Sequence, residues 1–482
     1  MPTSLPAVEQ PSLAGVVRSF RDPAGFVMRH GDRIFRVVNP SGAADLEAFL
    51  QTRLARDAME SGKLVRSVRV PPAEVSQLVS GADCVYEHER VAFPSYPYEW
   101  PAEMLHAAAT LTIGLAMDSA REGFGLKDAT PENVLFRGSA PVFVDVLSFE
   151  RRNPLDSAWM PYAQFVRTFL LPLLANREFG MPAHQILSGQ RDGLEPETVY
   201  RWAGPFRRLR PPFLSLVSMP KWLASRGTDS TAIYHPKPAA SEEQARFILE
   251  GVLESCRGNL NKVKPRPAPS VWSNYLDHKS LYTPAQLAQK EAFVSEALAM
   301  ARPRTTLDVG ANEGRFSFLA ASNGSSVVAI DSDPVVAGTI WREASGRRLD
   351  VLPLVVDLTR PTPAIGWKNE ENASFLDRAR GRFDLVLMLA VIHHMLVRER
   401  IPLEDLLDLA GELSRDYVLI EFVAPEDPMF QRIVRGREEL YSHLTKARFE
   451  ASATERFELV RSARIDGLYR WLYLFRRRRA AT

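Results

Sequence analysis

The stretch Thr306-Leu-Asp-Val-Gly-Ala-Asn-Glu-Gly-Arg-Phe-Ser-Phe318 decides the fold of this chain. Thr306 to Val309 has the character of the end of a buried strand. Gly310 and Gly314 bracket a tight turn, and Arg315 to Ala321 has the pattern of an amphipathic helix. A strand, a glycine turn and a helix start in succession form a site where backbone approaches a ligand closely.

Two further apolar runs downstream each end in an acid. Ser326 to Ile330 is a short β-branched run followed by Asp331, and Val351 to Val356 is followed by Asp357. A carboxylate at the end of the second strand of such a sheet can accept two hydrogen bonds from a ribose diol. The pattern therefore predicts a nucleotide-type ligand at one edge of a sheet.

The rest of the C-terminal half supplies more strands and the helices between them. Phe383 to Ala390 and Tyr417 to Val423 are predicted as the fourth and fifth strands, and Leu403 to Leu413 as a crossover helix of a parallel sheet. Two alternating runs, Phe457 to Ile465 and Leu468 to Phe475, flank an Asp-Gly pair. This is a strong signal for a β-hairpin.

The spacing Asp308-x-Gly310-x-x-x-Gly314 differs from the dinucleotide fingerprint G-x-G-x-x-G. It resembles motif I of the class I S-adenosylmethionine (SAM) methyltransferases. That resemblance implies an α/β fold with a Rossmann-like, seven-stranded sheet that ends in an antiparallel hairpin, and SAM as the cofactor. The alternative is an unrelated Rossmann-like nucleotide-binding protein. The resemblance assigns cofactor binding to Asp308, Gly310, Asn312, Gly314, Asp331, Ser332, Asp357, Leu358 and Leu389.

Methyl transfer from SAM is an in-line displacement that needs no metal ion, but a hydroxyl acceptor can require a base. Candidate catalytic residues are His393 and His394 after the fourth strand, and Glu421 at the end of the fifth. One of two adjacent histidines should face the pocket and the other away. The alternative is that the histidines have a structural role at a helix start and that Glu421 bonds to nearby backbone.

The amino-acid composition limits the kinds of partner and the cellular compartment that we expect. The chain has 482 residues, with Lys+Arg 60 and Asp+Glu 58, and its net charge of +2 gives no electrostatic case for a nucleic-acid partner. Cys84 and Cys256 are the only cysteines, so no disulfide framework is expected. Because we find neither a signal-like N-terminus nor an apolar run of membrane length, we expect no membrane span and a cytoplasmic protein.

A proline- and lysine-rich stretch divides the chain. We predict an N-terminal α+β domain over 1–257 that serves as a substrate or partner domain, a linker over 258–270 and the methyltransferase domain over 271–482. In the N-terminal domain, Ala43 to Ala58 is expected to form one helix and Leu64 to Val70 a strand. After the linker, Tyr275, Tyr282 and Lys290 are candidates for residues that cap the cofactor pocket.

The N-terminal half carries a second constellation, Asp128, Asn133 and Asp145. Their types and order resemble the catalytic loop and metal-binding segment of the protein-kinase and aminoglycoside-phosphotransferase superfamily, in which such residues orient a hydroxyl and hold magnesium on ATP. We find no glycine-rich loop and no phosphate-binding lysine, and Arg36 is the candidate substitute for the lysine. We therefore interpret the three residues as a vestigial nucleotide site, with turn and capping roles as the alternative.

The whole chain is similar to a group of bacterial two-part methyltransferases that includes rhizobial nodulation proteins. The similar stretches are Ser19 to Gly25, Leu126 to Glu150 and Leu385 to His394. The resemblance implies a SAM-dependent methyltransferase but names no substrate. We expect an unidentified small-molecule or glycan acceptor, and the oligomeric state stays open. Two alternatives are a phosphotransferase with a regulatory SAM-binding domain and a SAM-binding scaffold without catalysis.

Overall fold

A computed structural model of the chain describes residues 17–19, 21–79, 81–224, 238–267, 269–270 and 282–478. It contains two principal sheets, one in each half of the chain, and apolar residues of both halves belong to one continuous core. Among the described helices, none has the length and apolarity needed to span a membrane.

The N-terminal half begins with a five-stranded antiparallel sheet whose spatial order is β1-β2-β3-β5-β4. Its elements are β1 (Val17–Arg18), β2 (Gly25–His30), β3 (Arg33–Val38), α1 (Pro40–Leu50), α2 (Arg53–Glu60), β4 (Ser67–Arg69), α3 (Pro72–Leu78) and β5 (Cys84–His88).

Two local predictions for this region need correction. The single helix expected over Ala43 to Ala58 is two helices, because Thr52 is extended and its hydroxyl accepts a hydrogen bond from the backbone N–H of Ala55 at 3.0 Å. That bond caps the start of α2 and ends the continuity with α1. The strand expected over Leu64 to Val70 is confined to Ser67–Arg69.

A long buried helix leads from this sheet to two small two-stranded antiparallel sheets and a helical region. The elements are α4 (Ala102–Arg121), β6 (Phe124–Leu126), β7 (Val134–Arg137), β8 (Ala140–Phe143), β9 (Phe149–Arg151), α5 (Tyr162–Phe165), α6 (Leu171–Phe179), α7 (Ala183–Gly189), α8 (Pro196–Trp202), α9 (Pro205–Arg208), α10 (Met219–Ala224) and α11 (Glu242–Lys262). Short π-helical segments, Val166–Leu170 and Leu214–Ser218, lead into α6 and α10. Because α11 continues to Lys262, the stretch predicted as a linker from residue 258 begins inside a helix.

The C-terminal half alternates strands and helices. Its elements are α12 (Pro284–Ala301), β10 (Thr305–Val309), α13 (Arg315–Ser322), β11 (Ser326–Asp331), α14 (Pro334–Arg347), β12 (Val351–Val355), α15 (Phe375–Ala379), β13 (Phe383–Met388), α16 (Ile392–Val397), α17 (Leu403–Leu413), β14 (Ser414–Val423), α18 (Pro428–Val434), α19 (Glu438–Tyr441), α20 (Lys446–Arg456), β15 (Phe457–Arg464) and β16 (Arg470–Arg477).

These strands form a seven-stranded sheet in the order β12-β11-β10-β13-β14-β16-β15. The first five strands are parallel to one another. β16 pairs antiparallel with β14 on one side and with β15 on the other, which confirms the predicted α/β sheet with its terminal hairpin. The strand order reverses at β10, since β11 lies on one side of it and β13 on the other. In open α/β sheets, ligands bind outside the carboxyl ends of the strands at such a switch point.

The two halves are joined by a buried ion pair. The guanidinium of Arg378, on α15, contacts the carboxylate of Glu99, and both side chains are buried. Thr362 Oγ1 donates to Glu99 Oε1 at 2.5 Å, and Arg378 Nη1 donates to the carbonyl of Pro94 at 2.6 Å. The segment between β12 and β13 is therefore anchored on the N-terminal half.

Candidate functional site

A cavity of about 270 Å³ lies at the carboxyl edge of the C-terminal sheet. It opens where the polypeptide leaves β10, β11, β12 and β13, which is the switch point of the topology. Eight of the residues expected to bind the cofactor border it, namely Asp308, Gly310, Asn312, Asp331, Ser332, Asp357, Leu358 and Leu389.

The glycine turn after β10 forms one wall of this cavity. Gly310 has a φ of 69°, and a Cβ atom placed on it would lie 2.8 Å from a methyl carbon of Val391, which also borders the cavity. Gly314 does not border the cavity. Its φ of 83° begins α13, and a Cβ there would lie 2.9 Å from the ring of Phe318. Both positions require glycine, because each has a positive φ and a Cβ would clash with a neighbouring side chain.

Asp308 is buried at the base of the turn. The Ser317 hydroxyl donates to its Oδ2 at 2.6 Å, which ties β10 to α13. Burial raises the pKa of Asp308 to about 6, although the Ser317 hydrogen bond and the charge of Lys290 act in the opposite direction. This carboxylate orients the turn and borders the cavity at the same time.

Asp331 ends β11 and faces the turn. Its Oδ2 accepts the backbone N–H of Asn312 at 2.9 Å, and its Oδ1 accepts that of Asp333 at 3.0 Å. Burial raises its pKa to about 6, and these N–H bonds oppose the shift. Neutral donors hold the carboxylate in place, and among the residues that the structure describes no side-chain cation forms an ion pair with it.

The third acid, Asp357, follows β12. Its Oδ1 accepts both the backbone N–H of Thr359 at 2.9 Å and the Thr359 hydroxyl at 2.5 Å. Asp357, Leu358 and Thr359 all border the cavity, as does Leu389 at the end of β13. This part of the cavity combines a fixed carboxylate with apolar side chains.

The two adjacent histidines on α16 are in different environments. His394 borders the cavity, whereas His393 is 2% exposed and does not border it. Burial lowers the pKa of His394 to about 4, and the charges of Arg398 and Arg470 act in the same direction. Burial also lowers the pKa of His393 well below its ordinary value. Both imidazoles are therefore neutral at pH 7.

Glu421, on β14, does not border the cavity but lies in a buried charge cluster behind it. Lys290 Nζ lies 2.6 Å from Glu421 Oε2, and the Tyr282 hydroxyl donates to Glu421 Oε1. Arg470 Nη1 donates to the Tyr282 oxygen at 2.6 Å, and the Arg470 guanidinium forms two bonds with Asp427, at 2.8 and 3.1 Å.

The charges of this cluster are balanced within the protein. Burial alone would raise the pKa of Glu421, but Lys290 and Arg470 more than offset it and hold that pKa below its ordinary value. Burial and the Glu421 charge raise the pKa of Tyr282 well above its ordinary value. Tyr282 and Lys290 also border the cavity, so the cluster joins the cavity wall to the sheet.

Some residues at the cavity carry no signal in the sequence. Ala390 borders the cavity with a φ of 55°, a conformation that costs a residue with a Cβ free energy. Arg470 and Asp427 come together only through the pairing of β14 with β16. Tyr275, a predicted capping residue, lies outside the described residues.

The N-terminal constellation is arranged differently. Arg36 Nη2, from β3, lies 2.9 Å from Asp145 Oδ1. The Ser148 hydroxyl donates to Asp145 Oδ2 at 2.6 Å, and Asn133 Nδ2 donates to Ser148 Oγ at 3.3 Å. Asp128 is exposed, and its Oδ1 accepts a hydrogen bond from Gln164 Nε2 at 3.3 Å. The structure thus links Asn133 and Asp145 through one serine and gives Asp145 a protein cation.

Within the described residues, no three or more side chains of His, Cys, Asp or Glu come together as a group that could hold a metal ion. The fold and the cavity together define an α/β protein with a cavity at the carboxyl edge of a Rossmann-like sheet, where sheets of this kind bind their ligands.

The chain belongs to the family of nodulation protein NoeA. It is 30% identical to NoeA of Rhizobium meliloti (strain 1021) over 472 residues, which cover 96% of each chain. No protein-family model matches the chain.

Solved structures give weaker likenesses. The N-methyltransferase NodS of Bradyrhizobium japonicum WM9 has a TM-score of 0.30 and 14% identity, covering 40% of this chain and 96% of NodS. Magnesium protoporphyrin IX methyltransferase (ChlM) of Synechocystis PCC 6803, with bound SAH, has a TM-score of 0.31 and 15% identity, covering 43% of this chain and 93% of ChlM. WbdD has a TM-score of 0.29 and 18% identity, covering 44% of each chain. Because the TM-scores are low, we base the functional proposal on the site.

Proposed function

We propose that the protein is a SAM-dependent methyltransferase of the cytoplasm, with an unidentified small-molecule or glycan acceptor. The observation that carries the proposal is the cavity at the carboxyl edge of the sheet. A glycine turn after β10, an acid after β11 and an acid after β12 all border it, in the order of the motifs found in the sequence.

The residues around the cavity fit SAM. Gly310 borders the cavity, and the backbone of its turn would receive the amino-acid end of the cofactor. Asp331 would accept hydrogen bonds from the ribose diol, and Asp357 with Leu358 would hold the adenine. SAM supplies an activated methyl group when it is bound. The protein supplies its orientation.

We assign proton handling to His394 rather than to His393. His394 borders the cavity, and its neutral ring can accept a hydrogen bond from an acceptor hydroxyl. Its pKa of about 4 makes the ring a weak base, so the assignment rests on its place at the cavity. His393 is buried away from the cavity. Glu421 is bound by Lys290 and Tyr282 behind the cavity wall, so we give it a positioning role.

For the N-terminal half we propose a kinase-like scaffold without phosphotransfer. Its support is the environment of Asp145. In kinases the corresponding aspartate holds magnesium, and a lysine on the third strand contacts the phosphates. Here Arg36, on β3, contacts Asp145 itself, and Ser148 takes the other carboxylate oxygen. A fixed cation at this place opposes the binding of a metal ion.

Calorimetry on the whole chain tests the cofactor assignment. We expect SAM and its demethylated product to bind with micromolar affinity, about −8 kcal/mol. Binding of NAD without binding of SAM would contradict the proposal. Candidate acceptors are the metabolites that accumulate in a deletion strain. If the SAM site had only a regulatory or scaffold role, the protein would bind SAM but transfer its methyl group to none of them.

A further inference from the structure

We propose that the helical region of the N-terminal half carries a docking surface for an anionic phospholipid bilayer. The surface, here called the basic-apolar patch, is formed by residues of α8, α9, α10 and the segment between them. Its apolar members are Trp202, Phe206, Leu209, Met219, Trp222 and Leu223. The proposal does not depend on the cofactor assignment.

The patch is the outer side of a well-packed unit. Val199, Phe213 and Val217 point into the core. The Ser218 hydroxyl donates to the carbonyl of Arg208 at 2.7 Å, which holds α9 against the helix that leads into α10. The apolar side chains outside are therefore presented by an ordered backbone.

The exposure of these side chains is large. Phe206 is 81% exposed, Leu209 62% and Leu223 64%. On α10, Met219, Trp222 and Leu223 lie at spacings of three and four residues, so they share one face of the helix. Exposed clusters of large apolar side chains on a folded protein commonly mark interaction surfaces.

The segment that forms the patch is rich in basic residues. Residues 196–228, from the start of α8, contain six Arg or Lys and one acid, Glu197, although the whole chain has a net charge of only +2. Arg201 and Arg210 are exposed beside the apolar side chains. Arg208 lies over the ring of Tyr200, 3.9 Å from its centroid, which fixes this part of the segment.

The combination favours a lipid surface over other occupants. Aromatic and aliphatic side chains insert into the boundary between headgroups and acyl chains, while basic side chains around them contact anionic headgroups. The exposed tryptophans suit this boundary because their rings are amphipathic. A protein partner would explain the apolar side chains equally well, but the excess of six basic residues over one acid in the segment favours an anionic lipid surface.

Sedimentation of the whole chain with vesicles tests the proposal. We expect binding to vesicles of phosphatidylcholine with phosphatidylserine. Binding to phosphatidylcholine alone should be about tenfold weaker, since each basic residue near an anionic surface adds to the attraction. The double variant Phe206→Ser/Leu209→Ser and the variant Arg210→Glu should each lower the binding at least about threefold.

Phe247→Ser is the matched control, because Phe247 is 77% exposed on α11 among acids of the same helix. It should bind vesicles like the parent chain. Circular dichroism would show that each variant is folded. Absence of binding to the anionic vesicles, or equal loss in Phe247→Ser, would overturn the proposal. So would a stable self-association that Phe206→Ser/Leu209→Ser abolishes, since the patch would then join two copies of the chain.

Discussion

Asp145 and Asp331 are both acids that follow a strand and that sequence motifs assign to a nucleotide site, yet their surroundings differ. Asp145 contacts the guanidinium of Arg36 at 2.9 Å, so its charge is balanced inside the protein. Asp331 is held by backbone N–H groups and borders a cavity. The first acid is bound within the fold, and the second is presented to a ligand.

The comparison teaches that residue type and order identify a candidate site, whereas contacts decide its use. A carboxylate paired with a buried cation contributes to the structure, and replacing that cation with a metal would require breaking the pair. A carboxylate fixed by neutral donors at a cavity keeps its capacity to accept bonds from a ligand.

The largest effect is expected from Arg36→Met, which leaves Asp145 without its cation. Because Arg36 is buried, we expect the free energy of unfolding to fall by about 3 kcal/mol, measured by urea denaturation. Arg33→Met on the same strand is the matched control. Arg33 forms exposed ion pairs, so the loss there should stay below about 1 kcal/mol. An Arg36→Met protein as stable as the parent would show that the Asp145 pair does not hold the fold.

The next effect concerns the cofactor. Asp331→Asn removes the charge that would bind the ribose, and we expect SAM affinity to fall by about 1–3 kcal/mol in calorimetry, the range for an unpaired polar contact. Asp350→Asn is the control, because Asp350 lies just before β12, at the amino ends of the parallel strands and away from the cavity. An equal loss of SAM affinity in the two variants would show that Asp331 has no special role in binding the cofactor.

Lowering the pH should weaken SAM binding gradually, and by less than the largest loss expected for Asp331→Asn. The pKa of Asp331 is raised to about 6, so protonation removes the anionic acceptor as the pH falls through 6. If the ionised form binds SAM, affinity should fall about tenfold between pH 7 and pH 5, or about 1.4 kcal/mol. Asp331→Asn should show a shallower dependence, with a remaining slope from Asp308, whose pKa is also raised to about 6. An unchanged slope in the variant would contradict this assignment.

The smallest effect is expected at Ala390. Its φ of 55° suits glycine, so Ala390→Gly should raise stability by up to about 1 kcal/mol, seen as a higher melting temperature. SAM affinity should stay within about twofold of that of the parent chain, since no side-chain contact to the ligand is invoked. A destabilised variant would mean that the Ala390 methyl contributes packing that outweighs the backbone strain.

The sequence predicts the C-terminal sheet well because each strand carries its own local signal. The run before Gly310, the acid at Asp331 and the hairpin near Gly467 appear where expected. The predicted positions around the cavity come together because parallel strands present their carboxyl ends at one edge.

Other features depend on distant contacts and could not be predicted locally. The pairing of Arg36 with Asp145 joins residues 109 positions apart. The bonds of Arg470 with Asp427 require the register of β14 with β16. The break at Thr52 was missed for a different reason, because a threonine inside an apolar helical pattern gives only a weak capping signal.

Titration of the whole chain with two ligands in parallel, SAM and magnesium-ATP, tests the comparison most directly. The account predicts micromolar binding of SAM, about −8 kcal/mol by calorimetry, and neither binding nor turnover of ATP above background. Magnesium-dependent ATP turnover that disappears in Asp145→Asn, together with no heat from SAM, would contradict it and would reverse the roles of the two acids.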